Sequence, residues 1–557
     1  MPIHNGVDRR SFLRAGLTGA AMLGAAGLLS ACGGGGSAPG GASQGRAVTP
    51  TYVPYANKPP ADLPGNDFGL ADTYLKYPSN PMKLTEGVPG DGSDVSAMVL
   101  TYDPIVPGVE NNRYWQEVNQ RLGVNLKMQQ VPAGDYGSKL PTVLAGNDIP
   151  DFVQFQTYPP SFPDLLKAKF QDLAPFLAGD KVKDYPFLAN IPGYFWDTSV
   201  MYNGGIYGIP IPAYKMVNYL FTRDDIIEGK GLSATFGTFD EFLDLVKAVN
   251  DPRNSQWALT HVVEPTAKAP AGTFAYVLQC MGVGNVWSEN NGTFTSYHAD
   301  ERTKEAISVC AGLVKDGYVH PEAFSGATVD FVTNMAIGRA VMGIPGGLTS
   351  LPRFFNLSIS DKMRIGGAKP VPYAADTDAR AWQRTPAFSI TAIKQSEPER
   401  IKTLLEIANY LATPFGSEEY RFINFGSEGT HWNSDGAGGD PVITPLGKAE
   451  FTGFGLPYIA CPPRVLYTPG IADSVRKQYE IEKSMMETSV ANASLGLYSE
   501  TEGRKWATLE RAIGDAQAEI MKGNQPLSTW DDAVRTWKAQ GGDRIAQEYQ
   551  EVFAASR

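Results

Sequence analysis

The sequence predicts an α/β fold built around a parallel sheet, and three observations carry that prediction. Residues 95–102, 124–128 and 151–155 read as short strands, separated by helix-patterned stretches at 112–122 and 136–145. Such a β-α-β-α-β run closes a parallel sheet through right-handed crossovers. Further along, Thr238 and Glu241 frame a capping box, and the chain after Asp473 carries an almost continuous helical pattern. The composition is that of a folded chain, 43% apolar and 19% charged over 557 residues. That length makes room for roughly two to four domain-sized units.

Each element has its own signal. In 112–122, Trp115, Val118 and Leu122 fall on one helical face, and 124–128 alternates apolar and polar residues with period two. The helix 136–145 is stopped by Gly146 and Asn147. Behind the capping box, Phe239, Phe242, Leu243, Val246 and Val249 form an inward stripe. A helix over 301–314 carries Ile307, Cys310, Leu313 and Val314 inward, and 340–344 is a compact apolar strand. Ser396 and Glu399 are expected to cap a helix bearing Ile401, Leu404, Leu405, Ala408 and Leu411. In the helical tail Trp506, Leu509, Ile513 and Ile520 share one face.

The start of the chain carries targeting information. Arg9 and Arg10, with Phe12 and Leu13, precede the uncharged stretch 15–31, an arrangement that resembles a twin-arginine export signal. Leu29-Ser-Ala-Cys32 resembles a bacterial lipobox, which implies cleavage before Cys32 and a lipid on its thiol. The expectation is a signal peptide over 1–31 and a Gly/Pro-rich tether over 32–91, too poor in apolar periodicity to order itself. Of the remaining cysteines, Cys280, Cys310 and Cys461, at most one pair can bond; Cys280–Cys310 is the pairing chosen, with Cys310 also fitting a buried structural thiol.

Composition excludes several functions. Lys and Arg number 48 against 59 Asp and Glu, a net charge of −11 without basic runs, which argues against nucleic-acid binding. Five His and four Cys, with no CxxC or HExxH spacing, leave no metal centre to expect. No Walker A, Rossmann or GxSxG motif occurs, so no cofactor is expected. The acid pairs Asp224-Asp225 and Asp531-Asp532 read as helix starts, where carboxylates meet the dipole favourably.

Four segments carry a family resemblance: Ile149-Pro-Asp-Phe-Val-Gln-Phe155; Tyr207-Gly-Ile-Pro-Ile-Pro212 with Leu220-Phe-Thr-Arg-Asp224; the run 334–343; and Phe425-Gly-Ser-Glu-Gly-Thr-His-Trp432. Together with the export signal they resemble extracellular solute-binding lipoproteins of carbohydrate ABC importers, family 1-like and of the larger oligosaccharide-binding type. The resemblance implies a two-lobed periplasmic-binding-protein-like fold (type II) with discontinuous lobes, a hinge and a helical C-terminal region. It places lobe one in 92–212 plus 345–428 and lobe two in 213–344 plus 429–557, with hinges near 212–214 and 344–346. The family's calcium loop is not matched: the equivalent stretch from Asp251 to Trp257 lacks the Gly and the later acids, and a hard cation needs six to eight oxygens.

The resemblance implies a non-enzymatic, monomeric receptor, lipid-anchored on the extracytoplasmic face of the membrane, whose partners are a carbohydrate ligand and permease subunits. A sugar site needs flat aromatic platforms edged by polar groups. The residues chosen for it are Phe155 and Tyr158 after the third strand, Tyr214, Lys215 and Asn218 at the first crossing, Trp287 in a Gly-rich loop, Arg380 and Trp382 before the strand 387–393, and His431 with Trp432. Two other readings remain open: an exported polysaccharide hydrolase and an oligopeptide receptor.

Overall fold

The computed structural model describes residues 47–66, 69–146, 148–216, 219–263, 270–324, 331–344, 363–436 and 439–555. The export signal with Arg9 and Arg10, the lipidation residue Cys32, and Asn218 lie outside the described residues. Two sheets, each with its own core, organise the rest.

The first sheet has five strands in the order Asn125–Pro132, Asp94–Thr101, Phe152–Phe155, Ala387–Ile393, Ile209–Pro212. The first three run parallel, and Ala387–Ile393 is antiparallel to both its neighbours. The strand Asp94–Thr101 is buried on both faces along most of its length, as a parallel sheet covered by helices on both sides requires. The helix Arg113–Leu122 starts where the Asn112 side chain accepts from the Trp115 amide, and it ends at Gly123, whose φ of 62° suits the left-handed cap. It buries Tyr114, Val118 and Leu122. Trp115, expected on that face, is only half-buried and donates its Nε1–H to the Leu126 carbonyl at 3.0 Å.

The second sheet orders Ile365–Ala368, Leu220–Arg223, Ala340–Gly343, Trp257–Leu259. Against it packs the helix Phe239–Val249, where Thr238 and Glu241 form both halves of the capping box. Leu245 joins Phe239, Phe242, Val246 and Val249 in the core, whereas Leu243 lies at its margin. Helices Glu500–Met521, Thr529–Trp537 and Asp543–Ala555 complete this lobe, burying Leu509, Ile513 and Ile520. Helix Ala472–Met485 covers a third, smaller core made of Leu70, Met216, Tyr219, Leu466, Val475 and Tyr479 at the junction of the two sheets.

Four expectations need correction. The strand Ile365–Ala368 pairs with Leu220–Arg223, so the chain is still in the second lobe at 368, and Trp382 is also in that core. The return to the first lobe therefore falls at 383–387 instead of 345. The second departure comes after 460, because Phe454, Leu456, Ile459 and Ala460 belong to the first core. Ser396 does not cap its helix: Glu397 occupies the N-cap without a side-chain bond, and Pro398 supplies the first turn. Cys280, Cys310 and Cys461 are all buried free thiols, so the Cys280–Cys310 pairing is absent.

The largest departure concerns the tether. Residues 47–66 and 69–91 lie along the body as a strap. Ala47, Thr51 and Val53 donate backbone bonds to Gly204, Gly179 and Ala189 at 2.8–3.0 Å. Thr73 bridges to Leu63 and to Leu466, and Tyr77 donates its hydroxyl to the Ser417 carbonyl at 2.7 Å. Leu84 and Thr85 together give three donors to the Glu419 carboxylate. Isolated bridges and aromatic anchors hold this segment, and neither leaves a periodic pattern in the sequence.

Candidate functional site

Three segments join the lobes, and they are bonded to each other. After Pro212, the Ala213 amide donates to the Pro386 carbonyl at 2.9 Å, the Arg384 amide donates to Lys215 at 2.8 Å, and Met216 bridges to Gln383. The third segment joins through Arg464, whose Nε donates to the Pro212 carbonyl at 3.0 Å, and through Tyr214, whose hydroxyl donates to Val465 at 2.7 Å. Prolines 212, 386, 462 and 463 fix φ in these connectors and stiffen them.

Register places the carboxyl edge of the first sheet at these crossings. Ile390 pairs with Phe155 and Ala387 with Pro212, so Tyr102, Gln156, Phe388 and Pro212 share one edge. Here the Gln156 amide donates to the Tyr102 hydroxyl at 2.9 Å, and Phe388 stacks on Tyr458 with centroids 5.5 Å apart. The Arg384 guanidinium lies 5.2 Å from the Phe388 ring centre. Arg384 and Arg464 are both half-buried. Burial, together with repulsion from Arg464, pulls the Arg384 guanidinium down to about 10. Burial is the largest influence on Arg464, and the Cys461 thiol and the hydroxyls of Tyr214, Tyr420 and Tyr458 act on it most strongly after that; Asp103 acts on Tyr458 beside both arginines.

In the second sheet, Tyr219 before strand Leu220–Arg223 and Thr260 with His261 after strand Trp257–Leu259 lie at one edge. His261 Nδ1 is 2.9 Å from the Thr260 hydroxyl, and burial pushes its pKa down to about 4, so the ring is neutral at physiological pH. Farther out, Tyr158 stacks on Phe162 at 4.6 Å with an interplanar angle of 10°, and it shares a hydrogen bond with Tyr202. Tyr498 of the second lobe acts electrostatically on Tyr202 and is itself acted on by Asp164 of the first. Tyr158 and Tyr498 each keep 40% of their surface exposed. Tyr202 thus has a partly open tyrosine from each lobe within electrostatic range.

Of the residues chosen from sequence, Tyr158, Tyr214 and Lys215 lie at this edge or its hinge. Lys215 lies against the strap, since a Cβ on Gly69 would come within 2.6 Å of its Cδ, and burial lowers its pKa. The others are elsewhere. Phe155 is fully buried against Phe162 and Phe170. Trp432 is buried in the first lobe, where its Nε1–H donates to Gly426 and Arg421 covers its ring at 5.0 Å. Beside it, the buried His431 has Nε2 3.1 Å from the Glu450 carboxylate, while its Nδ1 accepts from the Ser427 amide at 2.9 Å. Trp287 packs on Trp537 and Tyr549, and Trp382 donates its Nε1–H to Val283 at 2.8 Å inside the second core. Rings enclosed in this way present no face to a ligand, which corrects the platform reading for Phe155, Trp287, Trp382 and Trp432 and the ligand reading for His431. Arg380 is exposed, 3.6 Å from Asp378.

Sequence reasoning missed Tyr102, His261, Arg384, Phe388, Tyr458, Arg464 and Tyr498. One signal was available: Gln383-Arg-Thr-Pro386 and Pro462-Pro-Arg464 each set an arginine within two residues of a proline in a connector with no helical or strand period.

Known proteins resemble this chain in both sequence and fold. The profile of the family described as bacterial extracellular solute-binding protein matches residues 114–359. A polygalacturonan/rhamnogalacturonan-binding protein, YtcQ of Bacillus subtilis (strain 168), is 23% identical over 85% of this chain and 94% of its own. The lipoprotein LipO of the same strain is 23% identical over 78% of this chain and 87% of its own. Among solved structures, an extracellular solute-binding protein from Bifidobacterium longum subsp. infantis superposes with a TM-score of 0.62 at 13% identity, over 83% of this chain and 98% of its own. The alginate-binding protein AlgQ2 does so with a TM-score of 0.60 at 15% identity, over 85% of this chain and 100% of its own. The fold is that of the two-lobed solute-binding proteins, and the chain resembles the extracellular solute-binding proteins of carbohydrate ABC importers.

Proposed function

We propose that the protein is an extracytoplasmic receptor that captures an oligosaccharide between its lobes and delivers it to an ABC importer. The observation that carries this reading is the interlobe edge itself. Partly open tyrosines from both lobes lie around Tyr202, and Gln156 and Tyr102 meet at the carboxyl ends of the first sheet's strands, where α/β folds bind ligands. Aromatic faces suit the apolar faces of sugar rings, and Gln156, His261 and the tyrosine hydroxyls suit their hydroxyl edges. The carbohydrate ligands of the relatives support the same reading. Export through the twin-arginine signal at Arg9 and Arg10, lipid anchoring at Cys32 and function as a monomer that docks on permease subunits complete the proposal.

A thermal-shift screen over oligosaccharides and dipeptides tests it, because a ligand of the native state at a hundred times its Kd adds about 2.7 kcal/mol of stability. A rise in melting temperature with oligosaccharides, and no sugar products on prolonged incubation, is the expected result. Products would assign a hydrolase, and a shift with dipeptides alone would assign a peptide receptor.

A further inference from the structure

We infer that the first strap residues and the helix Gly193–Ser199 form a face that rests on the lipid headgroup surface and orients the first lobe against the membrane. This rests on the reading of Cys32 as a lipid anchor. Two runs of the chain meet at this face, 47–55 and 185–196, and neither holds a charged residue. In a chain of which 19% is charged, adjoining runs of nine and twelve uncharged residues set the face apart. Backbone bonds join the strap to the lobe here: Thr51 donates to Gly179 at 3.0 Å and Val53 to Ala189 at 2.8 Å. Thr49 lies against the start of the helix, since a Cβ on Gly193 would come within 3.4 Å of its methyl group.

Val48, Tyr52, Val53 and Tyr194 each keep 40–67% of their surface exposed, which puts four large apolar side chains on this face. Tyr194 stacks on Phe195 with centroids 4.2 Å apart, and Tyr52 lies within its electrostatic range. The nearest charges are engaged: Asp197 accepts from the Thr49 hydroxyl, and Asp180 accepts from Thr51 and pairs with Lys183 at 2.9 Å. A phenol ring with its hydroxyl suits the boundary between headgroups and acyl chains, and apolar area buried there adds to the hold of a lipid chain. The anchor names the occupant. Fifteen Cα–Cα steps join Cys32 to Ala47, a span of at most about 50 Å. Held that close, the face meets the bilayer at a high effective concentration, so a weak contact suffices. A chain of net charge −11 is repelled by an anionic bilayer, and an uncharged face is where approach costs least.

Fluorescence quenching by lipid tests the inference. The lipidated chain carrying Val48→Cys, or Val552→Cys on the last helix of the second lobe, is labelled with a thiol-reactive dye. The native Cys280, Cys310 and Cys461 are buried and do not compete for it. Each protein is then reconstituted on phosphatidylglycerol–phosphatidylethanolamine vesicles containing a nitroxide-headgroup lipid. The expected result is quenching at least threefold stronger at position 48 than at 552. Tyr52→Ser combined with Tyr194→Ser, at an unchanged melting temperature, should remove most of that difference. Equal quenching at both positions, in protein that sediments with the vesicles, overturns the inference and leaves the anchor standing. Failure to sediment overturns both. Self-quenching between dyes at position 48 without quenching by lipid would assign the face to a second copy of the chain, and that also overturns the inference.

Discussion

The indole of Trp432 donates to the carbonyl of Gly426 at 3.0 Å while its ring is covered by Arg421, so the bulky aromatic closest to the Gly-rich turn is a structural strut of the first lobe. Trp432→Ala should therefore destabilise the chain by about 3–5 kcal/mol, leaving affinity intact in the folded fraction. Trp287 differs in one respect: its Nε1 has no hydrogen-bond partner among the described residues. Trp287→Phe should accordingly cost less than Trp432→Phe, which strands the Gly426 carbonyl. Melting temperatures of the purified variants check both; a greater loss for Trp287→Phe would contradict the assignment.

Tyr158 and Tyr498 should behave in the opposite way. Each is partly open, and replacing either by Ala should cost less stability than Trp432→Ala while weakening oligosaccharide binding by tenfold or more, the scale of an aromatic anchor worth about 2 kcal/mol. Affinity and melting temperature measured on the same preparations separate this from a packing role.

Glu482 is almost fully buried in the junction core and accepts from the Gln478 amide at 2.6 Å. Burial pushes its carboxyl up to about 8, and Tyr214 and Tyr219 are titratable neighbours that feel its charge. A raised carboxyl pKa means that the folded state holds the proton more tightly. The resulting stability is complete below the unfolded value of about 4.3 and is lost as pH rises toward 8. Glu482→Gln should raise the melting temperature more at pH 8 than at pH 5. A variant parallel to the parent across that range would show that the carboxyl does not carry the dependence.

The strap should restrain the junction. Leu70 packs with Met216, Tyr219, Leu466 and Tyr479, so Leu70→Ala should cost about 2–5 kcal/mol, in a segment whose composition reads as a spacer. Denaturant unfolding measures the loss; a change below about 0.5 kcal/mol, as at an ordinary surface site, would show that the strap is a passive tail.

Much of the fold was legible because local signals and tertiary demands agreed. The β-α-β-α-β run became three parallel strands, and Thr238 with Glu241 capped its helix as read. The lobe assignments of 363–382 and 439–460 were not legible, because edge pairing and core packing decide them and neither is periodic in the sequence. The site was least legible. Tryptophans near glycines looked like loop platforms, yet burying a large ring and satisfying its N–H favoured the core. The arginines and tyrosines that meet at the interlobe edge come from segments hundreds of residues apart, and only the crossings bring them together.

Hydrogen–deuterium exchange with and without a saturating oligosaccharide tests most directly whether capture occurs at this edge. The account predicts new protection in 102–103, 156–158, 213–216, 260–262, 383–388 and 458–466, contributed by both lobes. Protection confined to the outer helices of one lobe, with the three crossings unchanged, would contradict it.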